Sequence, residues 1–275
     1  MAAGMSGRSA AQSNAPTDLR FTRAIVRRPC RALVDGLTDH PELGKPDYEL
    51  ALVQHDAYVA ALRACGLAVT ILPADERYPD SCFVEDVAVL TDRRAVLTNP
   101  GAPTRAGEVA GMVEVLAKFF PLQAIGRIEP PGTLEGGDVL RAGNRFYVGL
   151  SARTNAEGID QFARLLGPFG YEVVAVPLRE VLHLKTGVNR LEPDVALVAG
   201  EFITRPEFAR HRPIVVPAEE AYAANSLWLN GTVLVPAGYP QTLAAIEEMG
   251  YPTIVLDTSE FRKVDGGLSC LSLRF

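Results

Sequence analysis

The spacing of apolar residues along this chain changes in a repeating order, and that order predicts its elements. Residues 21–26 alternate and are β-rich, and Arg27, Arg28 and Pro29 end the strand they predict. Residues 30–46 carry Pro, Gly and Asp and read as a loop long enough to be a lid or binding loop. Leu50, Val53, Ala57, Tyr58, Ala61 and Leu62 then recur at intervals of three and four, the spacing of an amphipathic helix over 47–65 that Gly66 stops. A helix with one apolar stripe needs a sheet to pack on. A strand at 67–72, ended by Pro73, follows directly, and a polar turn leads from it to a strand pair at 82–90 and 95–98.

The same order recurs in five passes. Strands at 67–72, 122–128, 171–177, 213–216 and 252–256 each run into a polar turn and then into a second strand, at 83–90, 136–140, 182–188, 224–229 and 268–275. Helices at 107–119, 155–169 and 241–249, with a shorter one at 205–210, separate most of the passes. The unit is ββαβ. One such unit cannot bury both its helix face and its sheet face, so several must pack into a ring, closed by pairing of the first strand beside the last. The expected fold class is therefore α/β, a ring of pseudosymmetric ββαβ repeats in which residues 21–275 form one catalytic domain.

Composition narrows the function. Hydrophobic residues make up 48% and charged residues 22%, with no apolar run near the roughly 20 residues of a membrane helix, so no membrane partner is expected. A net charge of −6 and a pI near 5.4 argue against a nucleic-acid surface and are compatible with a small cationic ligand. Residues 1–20, rich in Ala, Ser and Gly and without the apolar centre of a secretory signal, read as a flexible N-terminal extension. The expected location is the cytoplasm. There Cys30, Cys65, Cys82 and Cys270 stay reduced, and their wide separation gives no metal site.

A ring of repeats gathers the polar residues that follow the recurring strands. These are Asp80, Glu85 and Asp86 in the first pass, Glu135 and Asp138 in the second, His183 in the third, Asn225 in the fourth and Cys270 in the fifth. Carboxylates, one histidine and one cysteine at a common hub suit thiolate attack assisted by proton transfer. Cys270 follows Gly266 and Gly267, which let the backbone deliver a sulfur into a cleft, although a lone intracellular cysteine reads more readily as a small buried hydrophobe. Asp80 reads either as a turn residue after Pro79 or as a ligand. Glu85 and Asp86 fall one on each face of an otherwise apolar predicted strand, so at least one is buried and needs a partner, of which a cationic substrate is one. Glu135, Gly136, Gly137 and Asp138 form an ordinary turn or a place of close backbone approach. Among the histidines, His40, His55 and His211 read as surface residues, and His183 alone falls at the hub. Arg105 and Arg153 lie in helix-leading turns, solvated or available to grasp a carboxylate.

Six motifs carry a resemblance. PDSCFVED at 79–86, PGAPTR at 100–105, GTLEGGD at 132–138, SARTN at 151–155, LHLK at 182–185 and KVDGGLSC at 263–270 resemble, in order and spacing, those of the dimethylarginine dimethylaminohydrolase family, particularly its bacterial forms. The likeness runs from residue 21 to residue 275. It implies a five-bladed α/β propeller that hydrolyses asymmetric dimethylarginine or monomethylarginine to citrulline and the alkylamine, with no cofactor and no metal. Through it, Cys270 is expected to be the nucleophile that forms a covalent thiouronium, His183 the acid/base and Glu135 the residue that orients it. Asp80, Glu85 and Asp86 would hold the guanidinium and α-amino end, with Phe83 packed nearby, and Arg105 and Arg153 would hold the α-carboxylate. Leu37 on the lid and the backbone of Val264 and Asp265 would complete the pocket. Glu135 stands where some animal relatives have Asp, and residues 1–20 have no counterpart. Arginine deiminases and amidinotransferases of the same superfamily are the alternative, and a non-catalytic binding ring similar to the ribosome anti-association factor is a third reading. The deiminases and amidinotransferases typically carry an acid two positions after the catalytic histidine; Lys185 at that position favours methylated substrates. The expected partner is thus a small cationic amino acid, and a homodimer is the assembly to be tested.

Overall fold

The structure is a computed structural model that describes residues 19–275, so the extension expected over residues 1–20 falls almost wholly outside the described residues. In chain order the regular elements are β1 (Arg23–Arg27), α1 (Tyr48–Ala64), β2 (Ala68–Leu72), β3 (Ala88–Leu90), β4 (Ala95–Leu97), α2 (Met112–Leu116) and β5 (Ile125–Arg127). There follow β6 (Val139–Ala142), β7 (Arg145–Leu150), α3 (Ala156–Leu166), β8 (Glu172–Pro177), α4 (Leu184–Gly187), β9 (Val188–Leu191), β10 (Val195–Val198) and β11 (Arg212–Val215). The last are β12 (Leu227–Leu229), β13 (Thr232–Pro236), α5 (Pro240–Glu248), β14 (Thr253–Leu256), α6 (Ser259–Arg262) and β15 (Leu273–Arg274).

These strands form five three-stranded sheets with one plan. In β3-β4-β5, β6-β7-β8, β9-β10-β11 and β12-β13-β14 a tight antiparallel hairpin is followed by a crossover to a third strand that pairs parallel to the middle one. Parallel pairing requires a long connection, which α2, α3 and α5 supply in three sheets, while only the 3-10 turns Gly200–Phe202 and Pro206–Phe208 cross between β10 and β11. The fifth sheet joins the chain ends. β1 pairs parallel with β2 across α1 and antiparallel with β15, Ala24 facing Arg274 and Ile25 facing Leu273, as predicted for the first and last strands. Each apolar cluster is shared by two neighbouring sheets: Ile25 of β1 packs with Ala88 and Leu97 of the next sheet, whereas Ala24 and Val26 of the same strand pack with Leu227 and Leu229 of the preceding one. The helices cover the sheets, Phe146 of β7, for instance, meeting Phe162 of α3 edge to face at 5.4 Å.

The second strand of each predicted pass is mostly not a strand. Each begins as a helical turn, namely Val84–Val87, Gly136–Asp138, Leu184–Gly187, Ala218–Asn225 or Ser269–Leu271, and becomes extended only afterwards. Glu85 and Asp86 therefore lie on a turn rather than on opposite faces of a strand, and both are buried by neighbouring turns. Apolar runs this short carry no period that separates a strand from a buried turn. The helix expected at 107–119 is likewise interrupted, a 3-10 turn Pro103–Val109 preceding α2. His55 and His211, expected at the surface, are buried; burial lowers both pKa values, that of His55 to about 4, so each packs as a neutral aromatic ring.

The five turns hold one another in a closed circuit. The Gly137 amide donates to Asp86 Oδ1 (2.8 Å), that of Leu184 to Asp138 Oδ1 (3.0 Å), and Asn225 Nδ2 to the Lys185 carbonyl (3.0 Å). The Ser269 amide donates to Asn225 Oδ1 (2.9 Å), and Ser269 Oγ donates to Glu85 Oε2 (2.8 Å), which returns to the first turn. Side packing aims the turns. At α3, Asn155 caps the helix by accepting from the Gly158 amide and also accepts from Thr133, tying the helix to the segment that leads into Glu135. A Cβ on Gly158 would lie 1.9 Å from the Thr133 carbonyl oxygen. Gly158→Ala is therefore expected to destabilise the protein by about 1–3 kcal/mol, although helix propensity alone predicts a gain of about 1 kcal/mol. Urea unfolding of the variant checks the sign.

Candidate active site

A cavity of about 110 Å³ opens where the turns meet the loop after β1. It is lined by Leu37, Asp80, Phe83, Asp86, Arg105, Glu135, Arg153, His183, Val264, Asp265 and Cys270, eleven of the twelve residues expected from the sequence. Leu182 and Gly266 of the motifs complete it together with Thr38 and Asp39, which sequence reasoning did not single out. The twelfth, Glu85, is not brought into this cavity. Its carboxylate is held by Lys185 Nζ (2.6 Å), Arg274 Nη2 (2.8 Å) and Ser269 Oγ, and it lines a separate cavity of about 130 Å³ that shares no lining residue with the first. The signal for this lay in Arg274, whose position beside the turn of Cys270 becomes informative only once β15 is paired with β1.

The loop carrying Leu37 is latched from below by two acids. The Leu37 amide donates to Asp80 Oδ1 (3.1 Å), and the Asp39 amide donates to Asp265 Oδ2 (2.6 Å). Asp265 holds φ at 55°, a left-handed conformation that Asp tolerates better than most side chains. Arg105 is almost saturated: it donates to both oxygens of Glu108, to Asp86 Oδ2 (2.5 Å) and to the carbonyls of Asp80 and Phe83. It thus knits the 79–86 segment together. Glu108, three residues further on, is its missed partner, and the i,i+3 spacing was the available sign. Arg153 is the freer cation, 21% exposed in its side chain and 3.6 Å from Glu135.

His183 precedes α4, and its Nε2 lies 2.7 Å from Glu135 Oε2. The other oxygen of Glu135 accepts from the Ala102 amide (3.0 Å), so the carboxylate is fixed at both ends and orients the ring. The second ring nitrogen packs beside Gly137, where a Cβ would come within 2.6 Å of it. Burial lowers the basicity of His183, but Asp86, Glu135 and Asp138 outweigh it and raise the pKa from 6.5 to about 9. Burial opposes ionisation of Glu135, yet the hydrogen bond and charge of His183 hold its pKa below the ordinary carboxylate range. Cys270 sits on the Ser269–Leu271 turn, and its sulfur accepts from the Gly267 amide at 3.5 Å. Burial, then the carboxylates of Glu85 and Asp86, push this thiol from 9.0 up to about 12 against the opposing pull of Gly267 and Lys185. Asp86, Glu135 and His183 offer donor atoms within 4.8 Å of one another, but each is already engaged by hydrogen bonds within the site.

The chain matches, over residues 44–225, the family described as N,N dimethylarginine dimethylhydrolase, eukaryotic. It is 51% identical over 255 residues to the N(G),N(G)-dimethylarginine dimethylaminohydrolase of Pseudomonas aeruginosa, spanning 93% of this chain and 100% of that one. The chain belongs to the dimethylarginine dimethylaminohydrolase family. A second dimethylarginine dimethylaminohydrolase, from Streptomyces coelicolor, is 40% identical over 92% of this chain and 96% of its own length. A solved structure of the Pseudomonas aeruginosa dimethylarginine dimethylaminohydrolase, a cysteine-to-serine mutant complexed with citrulline, superposes with a TM-score of 0.91 at 50% identity, covering 94% of this chain and 100% of that one.

The raised pKa of His183 sets a pH dependence for the fold. A group more basic in the folded state stabilises fully below its unfolded pKa and loses that contribution as pH rises through the folded one. The stability gap between wild type and Glu135→Gln should therefore be widest from about pH 5 to 6.5 and shrink towards pH 9, by less than the roughly 3 kcal/mol of the whole shift because Asp86 and Asp138 also raise it. Urea unfolding across this range checks it; a gap that is flat or widens contradicts the pairing.

Proposed function

We propose that this protein hydrolyses N-omega-methylated arginines to citrulline and the corresponding alkylamine through a covalent thiouronium on Cys270. The observation that carries the reading is the His183–Glu135 pair, oriented and basic, lining the same acidic cavity as a partly buried cysteine. The Pseudomonas relative's citrulline complex supports the product. We also read the five sheets and their closed circuit of turns as a five-bladed α/β propeller, with residues 21–275 acting as one domain.

The electrostatics suit a cationic substrate. In the free protein Cys270 is held as the thiol by burial and by two carboxylates. A guanidinium seated between Asp80 and Asp86 offsets that negative field, which favours the thiolate beside it and supplies the strong nucleophile that a resonance-stabilised carbon requires. Arg153, the cation with donors to spare, takes the substrate's α-carboxylate, and Arg105 acts chiefly by fixing Asp86 and the 79–86 segment. Attack by sulfur gives a tetrahedral adduct. His183, protonated at neutral pH, donates its proton to the alkylated nitrogen, the C–N bond breaks and the amine departs. The now neutral His183 takes a proton from water as its oxygen attacks the thiouronium carbon, and the resulting adduct expels the sulfur as thiolate and releases its hydroxyl proton to solvent, which yields citrulline. Glu85 supports the floor of the site through Lys185 and Arg274 rather than binding the guanidinium.

Lys185 decides between methylated and plain arginine. A carboxylate at this place would require an N–H that a dimethylated nitrogen lacks, and leaving it unpaired costs about 1–3 kcal/mol. Here the position holds a cation already spent on Glu85. kcat/KM for mono- or dimethylarginine is expected to exceed that for arginine at least about tenfold, or about 1.4 kcal/mol of transition-state discrimination. In a competition at equal concentrations alkylamine should accumulate well ahead of ammonia, whereas excess ammonia would identify a deiminase. Cys270→Ser should abolish turnover while Cys30→Ser, Cys65→Ser and Cys82→Ser retain most of it. His183→Ala should release amine no faster than background, with intact mass spectrometry revealing any adduct trapped on Cys270.

A further inference from the structure

Tyr222 lies outside the cavity that receives the substrate, on the Ala218–Asn225 turn of a different sheet unit from either Glu135 or His183. Its phenol oxygen is 2.8 Å from the Gly266 carbonyl and 3.1 Å from Thr258 Oγ1. A phenol has one proton, and a carbonyl can only accept. The proton therefore goes to Gly266, and Thr258 donates its own to the phenol oxygen. The Gly266 carbonyl and the Gly267 amide are the two ends of a single peptide unit, and that amide donates to Cys270 Sγ at 3.5 Å. Thr258, Tyr222, this peptide and the sulfur thus form one chain of donors pointing at Cys270.

Such a chain is cooperative, because each bond polarises the next. It also restrains a peptide that has little else to set its plane, flanked as it is by two glycines and preceded by Asp265 in a left-handed conformation. No side chain can replace either glycine without moving a neighbour: a Cβ on Gly266 would lie 2.2 Å from the Phe83 ring, and one on Gly267 would lie 2.6 Å from Asn225 Oδ1. The tyrosine itself is well anchored, its ring 5.6 Å from that of Tyr239 and beneath the Arg262 guanidinium at 5.3 Å. Asn225, three residues on in the same turn, accepts from the amide of Ser269, the residue before Cys270.

We propose that Tyr222 is a positioning residue for the nucleophile: by donating to the Gly266 carbonyl it fixes and polarises the peptide whose amide stabilises the Cys270 thiolate. This rests on Cys270 being the nucleophile of the proposed reaction, but its first test needs no substrate. Alkylation by iodoacetamide, followed peptide by peptide by mass spectrometry at mildly alkaline pH, reads the thiolate of Cys270, with half-buried Cys65 as internal reference. Tyr222→Phe should slow alkylation of Cys270 about threefold to tenfold relative to Cys65, and Thr258→Val, one link further back, should slow it less but in the same direction. On methylarginine, Tyr222→Phe should lower kcat by a similar factor and leave KM within about twofold. Wild-type alkylation in Tyr222→Phe, or slowing there with none in Thr258→Val, overturns the proposal; the second result would mark Tyr222 as packing alone. A wild-type protein that releases no alkylamine from methylarginine would instead overturn the proposed reaction, and the alkylation series would still decide the role of Tyr222.

Discussion

The hydrogen-bond circuit through the five buried turns is the constraint on which the site depends. Asp86, Asp138, Asn225 and Ser269 with Glu85 each reach from one turn to the next, and every link joins residues 40 or more positions apart. A buried polar group left without its partner costs about 1–3 kcal/mol, more if charged, so opening one link penalises both turns it joins. No sheet unit contains the site. Cys270, His183 and Glu135 come from three of them, and their mutual geometry is only as good as the circuit that fixes the turns relative to one another.

The circuit also explains why so many acidic residues surround one small cavity. Asp138 and Glu85 are structural: the first caps the turn after His183 and is braced by Ser151, and the second closes on Lys185 and Arg274. Asp86 serves both purposes, accepting from Gly137 and Arg105 while its charge reaches His183 and Cys270. One field therefore acts on two groups in opposite chemical senses. It favours the protonated form of His183 and the thiol form of Cys270.

Much of this was written in local sequence. The helix over 47–65 appears as Tyr48–Ala64, capped by Asp47 as the polar residue before the apolar stripe suggests, and the helices expected at 155–169 and 241–249 appear with Asn155 and Tyr239 at their starts. The five passes and the pairing of first and last strands were also legible, because alternation and turn chemistry are properties of the chain itself. The six motifs hold ten of the eleven expected residues that line one cavity, and Leu37 comes from the loop after β1. The helical turns that carry the chemistry were not legible: runs such as 83–90 and 182–188 are apolar and short, and what makes them turns rather than strands is burial against turns from distant parts of the chain.

Sequence by itself determined which residues carry charge, sulfur and hydrogen-bonding groups, where Gly and Pro break the chain, and hence the repeating units and the reaction class they suit. Tertiary structure alone decided how those groups are divided. Glu85 and Asp86 are neighbours with the same chemistry, yet one is neutralised beneath the floor by Lys185 and Arg274 and the other faces the cavity beside His183. Likewise His55 reads like a surface residue on its helix, but packing buries it as a neutral ring, while His183 is buried among acids and becomes a cation. The physical reason is the same in both cases. A side chain's charge state and partners depend on the field and solvent access at its final position, and these are set by residues dozens to hundreds of positions away.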